Sequence, residues 1–278
     1  MKKLAITLAL ATLGLGTFAG CPKESALTFG EATQALEEAQ ASTQAASVVG
    51  ATIELTTSFT IGAAVEQAAQ EIGAFIAAQL PCAEIALAGG ELTVHYGALP
   101  GNCAYQGQTL TGTHTIGVVK NAAGEIVVSH EWSEVSNGKF SVTGTATVTW
   151  NFEALTRHVV HDLDWTRLAD GKSWTGTGDR VQQPLPGGLD EGLQIDGSRS
   201  WTAASGVWDL DIAGVQIRWV DPVPQAGVYT LTTPSDKTLT LSFARVDADT
   251  IHVEIDGPKR SFGFDVSSSG NAQSTDAP

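Results

Sequence analysis

The sequence predicts a mainly β protein of the α+β class: a large antiparallel meandering sheet, curled or closed as a partial barrel, with two N-terminal helices packed on it. Three observations predict it. From Glu91 onward, Thr, Val, Ile and Trp alternate with polar residues between short Gly, Asn and Asp turns. Before Glu91, apolar residues recur at helical spacing instead. A repeat also runs through the β part. HEWSEVSNGK (130–139) matches LDWTRLADGK (163–172), and Gly112-Thr113, Gly144-Thr145 and Gly176-Thr177 recur at even intervals. Each repeat is about two strands. A lone strand pair is marginal in water, so neighbours must share one core. Periodicity also fits a solenoid, but hairpin turns favour a continuous meander.

The chain opens with Lys2 and Lys3, then runs uncharged from Leu4 to Gly20. This is the pattern of a secretory signal peptide, residues 1–20. The run approaches the length of a membrane span, which would make it a permanent anchor, but small residues crowd its end. That end, Phe18-Ala19-Gly20-Cys21, resembles the bacterial lipobox. The resemblance covers residues 1–21 and implies a bacterial lipoprotein. The thiol of Cys21 would carry diacylglycerol, the peptide would be cut before Cys21, and the new amine would be acylated. Phe18 stands where leucine is usual. Pro22 stands where an aspartate retains many lipoproteins at the inner membrane, so an outer-membrane location is implied if the host has two membranes. Several acyl chains anchor a protein stably where one does so only marginally.

Three cysteines are an odd count for an exported chain. Lipidation occupies Cys21 and leaves Cys82 and Cys103, which an oxidising compartment allows to pair. Two buried free thiols are the alternative. The net charge is −15, and removal of residues 1–20 deletes two lysines and no acid. That balance argues against nucleic acid and against electrostatic docking on anionic lipid. Plain solubility explains it.

Residues 21–30 read as a lipidated tether. Thr28-Phe29-Gly30-Glu31 reads as a capping box, and a helix follows to about Ser47 with a weak stripe of Ala32, Ala35, Leu36 and Ala39. The stretch VVGATIELTTSFTIG is ambiguous. A second helix carries Ile61, Val65, Ala68, Ile72, Phe75, Ile76 and Leu80 on one face and stops at Pro81. Residues 31–90 therefore form a helical segment that covers the sheet's apolar face, and 91–266 form the β domain. Strands are expected near 91–97, 109–119, 125–135, 140–152, 156–168, 173–181, 193–203, 207–220, 227–232, 238–246, 250–256 and 260–266. The tail 267–278, SSSGNAQSTDAP, is expected to be disordered.

Asp170-Gly171 reads as a two-residue hairpin loop. That register sets Ala169 opposite Lys172, Arg167 opposite Trp174 and Trp165 opposite Gly176. An indole over a glycine covers exposed backbone, and Arg beside Trp allows a cation–π contact. All seven tryptophans lie between 132 and 219. They read as structure, with a carbohydrate or apolar-ligand site as the alternative.

Two clusters invite chemistry. HEWSE (130–134) approaches the zinc-protease pattern but has Glu134 where the second histidine belongs, and it lies on a strand, where His130 and Glu134 would share a face. In RHVVHDLDW (157–165), His158, Asp162 and Asp164 share one strand face, and His161 lies on the other with Val159, Leu163 and Trp165. The first face suits a divalent ion, an acid–base pair or simply solvent. Asp209 and Asp211 also alternate, but no calcium loop surrounds them. There is no GxSxG elbow, phosphate-binding glycine loop or CxxC. No catalytic residue, metal or cofactor is therefore assigned. The expected protein is an envelope lipoprotein held to the membrane through lipid on Cys21, serving as a non-enzymatic binding or structural module toward a protein partner. A carrier of an apolar ligand under the curved sheet is the alternative, and an envelope hydrolase a weaker one.

Overall fold

A computed structural model describes residues 25–57, 65–122, 124–151 and 154–276. The signal segment, Cys21 and Ile61 lie outside the described residues. Two helices, α1 (Phe29–Thr57) and α2 (Val65–Gln79), precede the strands. The strands begin with β1 (Glu84–Ala88), β2 (Glu91–Tyr96), the small hairpin β3 (Ala104–Tyr105) and β4 (Gln108–Thr109), then β5 (Thr111–Lys120) and β6 (Ile126–Ser136). The middle of the sheet is β7 (Phe140–Asn151), β8 (Thr156–Arg167), β9 (Ser173–Leu185), β10 (Gly188–Ala203) and β11 (Gly206–Ile217). Five more follow: β12 (Ala226–Thr232), β13 (Thr238–Arg245), β14 (Thr250–Gly257), β15 (Arg260–Ser267) and β16 (Ala272–Ser274).

All but β3 and β4 form one 14-stranded antiparallel sheet in sequence order, open between its edge strands β1 and β16. The expected meander is present. The tail expected to be disordered supplies β16, whose Ala272 pairs with Val266. β1 and the β3–β4 hairpin were not legible because their few residues carry little alternation.

The sheet curls around α1. Side chains from β6, β8, β9 and β10, and Lys237 just before β13, reach the helix at Thr52, Glu54, Glu38, Ser42 and Glu31 respectively. The helix starts at the expected capping box: Glu31 N–H donates to Thr28 Oγ1 at 3.3 Å, and Thr28 N–H donates to Glu31 Oε2 at 2.9 Å. It runs ten residues past the expected end at Ser47. From Ala41 to Thr56 every residue is buried except Gln44 and Ala46, which are partly so. Val48, Val49, Thr52 and Ile53 favour strand by propensity, but enclosure on all sides overrides it. The same enclosure explains the weak stripe, since a surrounded helix has no solvent face to mark. Gly50 is required where the Trp219 ring packs, because a Cβ there would stand 2.6 Å from the indole.

Helix α2 behaves as the sequence predicts. Ala68, Ile72, Ile76 and Leu80 are buried, and the helix packs on β1, β2 and β5. Cys82 and Cys103 form a disulfide with their Cα atoms 5.4 Å apart, tying the end of this segment to the β3–β4 hairpin.

The β8–β9 register differs from expectation. Arg167 N–H donates to Lys172 O at 2.8 Å, so the loop holds four residues, Leu168–Gly171. Asp170 favours the wider loop: its carboxylate accepts from Arg167 Nε and Nη2 at 3.0 and 2.7 Å and from Lys172 N–H at 3.2 Å. Trp165 therefore faces Trp174, and Gly176 faces Leu163 on one side and Trp201 on the other. A shift of two residues keeps every side chain on its face. The expected indole–glycine pairing survives with other partners, Trp201 opposite Gly176 and Trp132 opposite Gly144. Arg167 still stacks over Trp174, 5.7 Å from the ring centre.

Candidate functional site

Each central strand has two faces of opposite chemistry. On the outer face, one register row runs Thr145, Asp162, Thr177, Ser200 and Asp209 across β7–β11. The next row runs Thr147, Val160, Asp179, Ser198 and Asp211. Together they line a groove of about 640 Å³. Small hydroxyl and carboxyl side chains leave the middle of the sheet shallow and wettable. Asp162, Asp209 and Asp211 have no ion-pair partner among the described residues. The groove can accept hydrogen bonds from a polar or cationic group.

The residues singled out in RHVVHDLDW divide as their parity requires. His158, Asp162 and Asp164 share the outer face, but they do not converge. His158 bonds Asp179 at 2.5 Å, and Asp164 accepts from Thr175 Oγ1. Of the three, only Asp162 lines the groove. His130 and Glu134 do not share a face: a register shift between Trp132 and Val135 leaves Glu134 exposed at φ +53° and His130 buried. Such a bulge reverses the parity on which the expectation rested. No group of three His, Cys, Asp or Glu suited to a metal ion occurs among the described residues.

The inner face is a buried polar trough against α1. Arg157, Arg180 and Arg199 step diagonally across β8, β9 and β10, each buried. Arg157 pairs with Glu54 of α1 and donates to Gln182 at 2.6 Å. Arg180 donates to His161 Nδ1 at 3.0 Å. Arg199 donates to Ser42 O and Oγ at 3.2 and 3.0 Å. The indoles of Trp174 and Trp201 both donate to Glu38, at 2.9 and 3.0 Å, and Trp132 donates to Thr52 at 2.9 Å. Buried polar groups must be paired or they cost stability; α1 supplies partners for Arg157, Arg199 and these three indoles, while Arg180 turns to His161 of β8.

A second chain of bonds lies beside it. Tyr96 OH meets His114 Nδ1 at 3.0 Å, and His114 Nε2 meets His130 Nδ1 at 2.9 Å. The two imidazoles and Trp132 stack. Burial, then the Arg157 charge, lowers His130 to about 3. Burial, then His130, holds His114 well below its ordinary value. Burial, then Arg180 and Arg199, lowers His161 to about 2. All three histidines are therefore neutral near pH 7. Burial also pushes the Tyr96 phenol upward, so it keeps its proton as donor.

The sequence reading placed His161 correctly but missed the three arginines. Their signal was parity alone: Arg157 shares alternation with Val159 and His161, and Arg199 with Trp201. Charge argued for solvent, and only the wrapped helix reverses that argument. Six tryptophans are buried, so these indoles are core and not an exposed platform. No protein-family model, curated protein or solved structure matches the chain.

Proposed function

We propose that this chain is a lipid-anchored envelope lipoprotein whose β domain is a non-enzymatic binding or structural module. The observation that carries the reading is the uncharged run ending Phe18-Ala19-Gly20-Cys21. Thr28, the cap of α1, follows Cys21 by seven residues, a reach of at most about 25 Å. A lipid on Cys21 would therefore hold the domain close to its membrane, and Pro22 favours the outer one where there are two. The outward groove, polar and acidic, is the surface that a binding role would use. The carrier alternative has less support. The trough beneath α1 holds a void of about 10 Å³ at Ser42, and the pockets of about 290 and 270 Å³ that touch Gln44 and Gln34 of α1 reach only the lower end of the several hundred Å³ of a small-molecule site.

The test is acyl labelling of the protein in its host, with the mass of the mature N-terminus. The expected result is label on the wild-type protein, a chain beginning at Cys21, and neither in Cys21→Ala. Phe18→Leu should process at the same rate or faster. Absence of label, with a mature N-terminus elsewhere, would overturn the reading and leave an ordinary secreted or membrane-anchored β domain.

A further inference from the structure

We propose that the end of the domain where α1 begins lies against the phospholipid membrane that carries the Cys21 anchor, with Phe29 among the headgroups and Lys259 and Arg260 against lipid phosphate. The orientation rests on the lipoprotein reading. The chain enters the fold at this end. Leu27 is fully buried, and its N–H donates to Pro258 O at 2.9 Å, so the start of the fold is pinned to the β14–β15 hairpin. Cys21 precedes Leu27 by six residues, a reach of at most about 22 Å. The face around Leu27 therefore stands next to the lipid.

That face has the chemistry of a headgroup layer. Phe29 opens α1, and its ring centre lies 5.7 Å from that of Phe262 and 5.8 Å from that of Phe264, yet half of it stays exposed. Beside it the hairpin turns through Pro258 and Lys259, and Arg260 pairs with Gly257. Lys259 and Arg260 are exposed, and Arg260 makes no ion pair among the described residues. Alternation puts Arg260 on the same face of β15 as Phe262 and Phe264, and the hairpin's nearest acid, Asp256, on the opposite one. The chain as a whole carries −15, so most of its surface is repelled by anionic lipid. A ring beside two adjacent cations is a local exception. Aromatic rings and long basic side chains settle at the membrane–water boundary, ring toward the apolar side and charge toward phosphate. One exposed phenylalanine is ordinary on a water-facing surface; its place beside the tether and the two cations assigns this one to lipid.

The experiment uses the full-length chain expressed in its host and reconstituted in vesicles of phosphatidylethanolamine and phosphatidylglycerol with brominated acyl chains. A fluorophore is attached at Phe29→Cys, Lys259→Cys or Val246→Cys, with the protein lacking an added cysteine as blank. Val246 is exposed in the loop at the opposite end of β14, roughly 25 Å from the hairpin tip. Bromine quenching should be several-fold stronger at Phe29 and Lys259 than at Val246. Lys259→Gln combined with Arg260→Gln should lose much of the Phe29 quenching and keep the thermal midpoint. Acylated protein with equal quenching at the two ends, or with more at Val246, would overturn the orientation and leave the lipoprotein reading standing. Phe29 quenching that the double variant leaves unchanged would overturn the phosphate contacts. Protein without acyl label fails the lipoprotein reading instead. If its uncleaved apolar segment still holds it on vesicles, the same comparison of Phe29 with Val246 decides the orientation; if it stays in solution, the orientation falls as well.

Discussion

Helices α1 and α2 follow each other in the chain but solve burial in opposite ways. α2 presents Ala68, Ile72, Ile76 and Leu80 to β1, β2 and β5 and turns Gln67, Gln70 and Glu71 to solvent. α1 is enclosed, so it has no solvent face beyond its first turns. It is built from small residues that let the sheet approach, and from a few polar ones that each answer a group on the sheet. Glu38, Ser42, Thr52 and Glu54 serve Trp174 and Trp201, Arg199, Trp132 and Arg157 in turn. A helix on one side of a sheet is stabilised by apolar area, which fails gradually. A helix inside a polar trough depends on matched pairs, which fail one whole group at a time.

Acid should expose that difference most. His114, His130 and His161 are neutral in the fold, whereas in the unfolded chain each takes a proton below about pH 6.5. The unfolded state then binds more protons, so stability falls as pH falls. Each histidine contributes about 1.4 kcal/mol per pH unit, and the loss runs from pH 6.5 down toward about 3 for His130 and about 2 for His161. Unfolding free energies from denaturant melts at pH 7 and 5 should differ by several kcal/mol, with the midpoint lower at pH 5. Equal midpoints would mean that these imidazoles are charged, or solvated, in the fold.

Next in size is Glu54→Ala, which strands Arg157 in the trough and should cost ~3–5 kcal/mol. Glu54→Leu combined with Arg157→Met removes both charges and should recover most of that in urea melts. A double variant as unstable as the single one would show that α1 is held there by packing and not by the pair.

The contrasting change is Ile72→Ala on α2, where cavity formation should cost ~2–5 kcal/mol with no change in the pH profile. Gly176→Val probes the trough wall. Its Cβ would stand 2.5 Å from Ser200 O and 2.7 Å from Trp201 Cβ, so overpacking of ~1–3 kcal/mol is expected. An unchanged thermal midpoint would contradict the β9–β10 register. Smallest is Thr28→Ala, which removes the α1 cap and should cost ~1 kcal/mol. Glu31, lowered to about 2 chiefly by its bond to Lys237, keeps part of that cap tied to the turn before β13.

Much of the candidate site was legible in fragments. Alternation in 157–165 placed His158, Asp162 and Asp164 outward and His161 inward, because strand parity is local. It could not foresee that His158 would turn to Asp179 and Asp164 to Thr175, since those partners arrive from β9 through a register set by the Asp170 loop. The bulge at Glu134 was equally hidden, because an inserted residue changes parity without changing composition.

By itself, the sequence determined the strand succession, the capping box at Thr28, the stripe of α2 and the antiparallel meander. Each rests on spacing between near neighbours. Tertiary structure decided that the sheet would curl far enough to surround α1, that VVGATIELT would be helix, and that three arginines would be buried. Those outcomes depend on what occupies the space beside a residue, and at Arg157, Arg180 and Arg199 that space is bounded by a helix more than a hundred residues earlier in the chain.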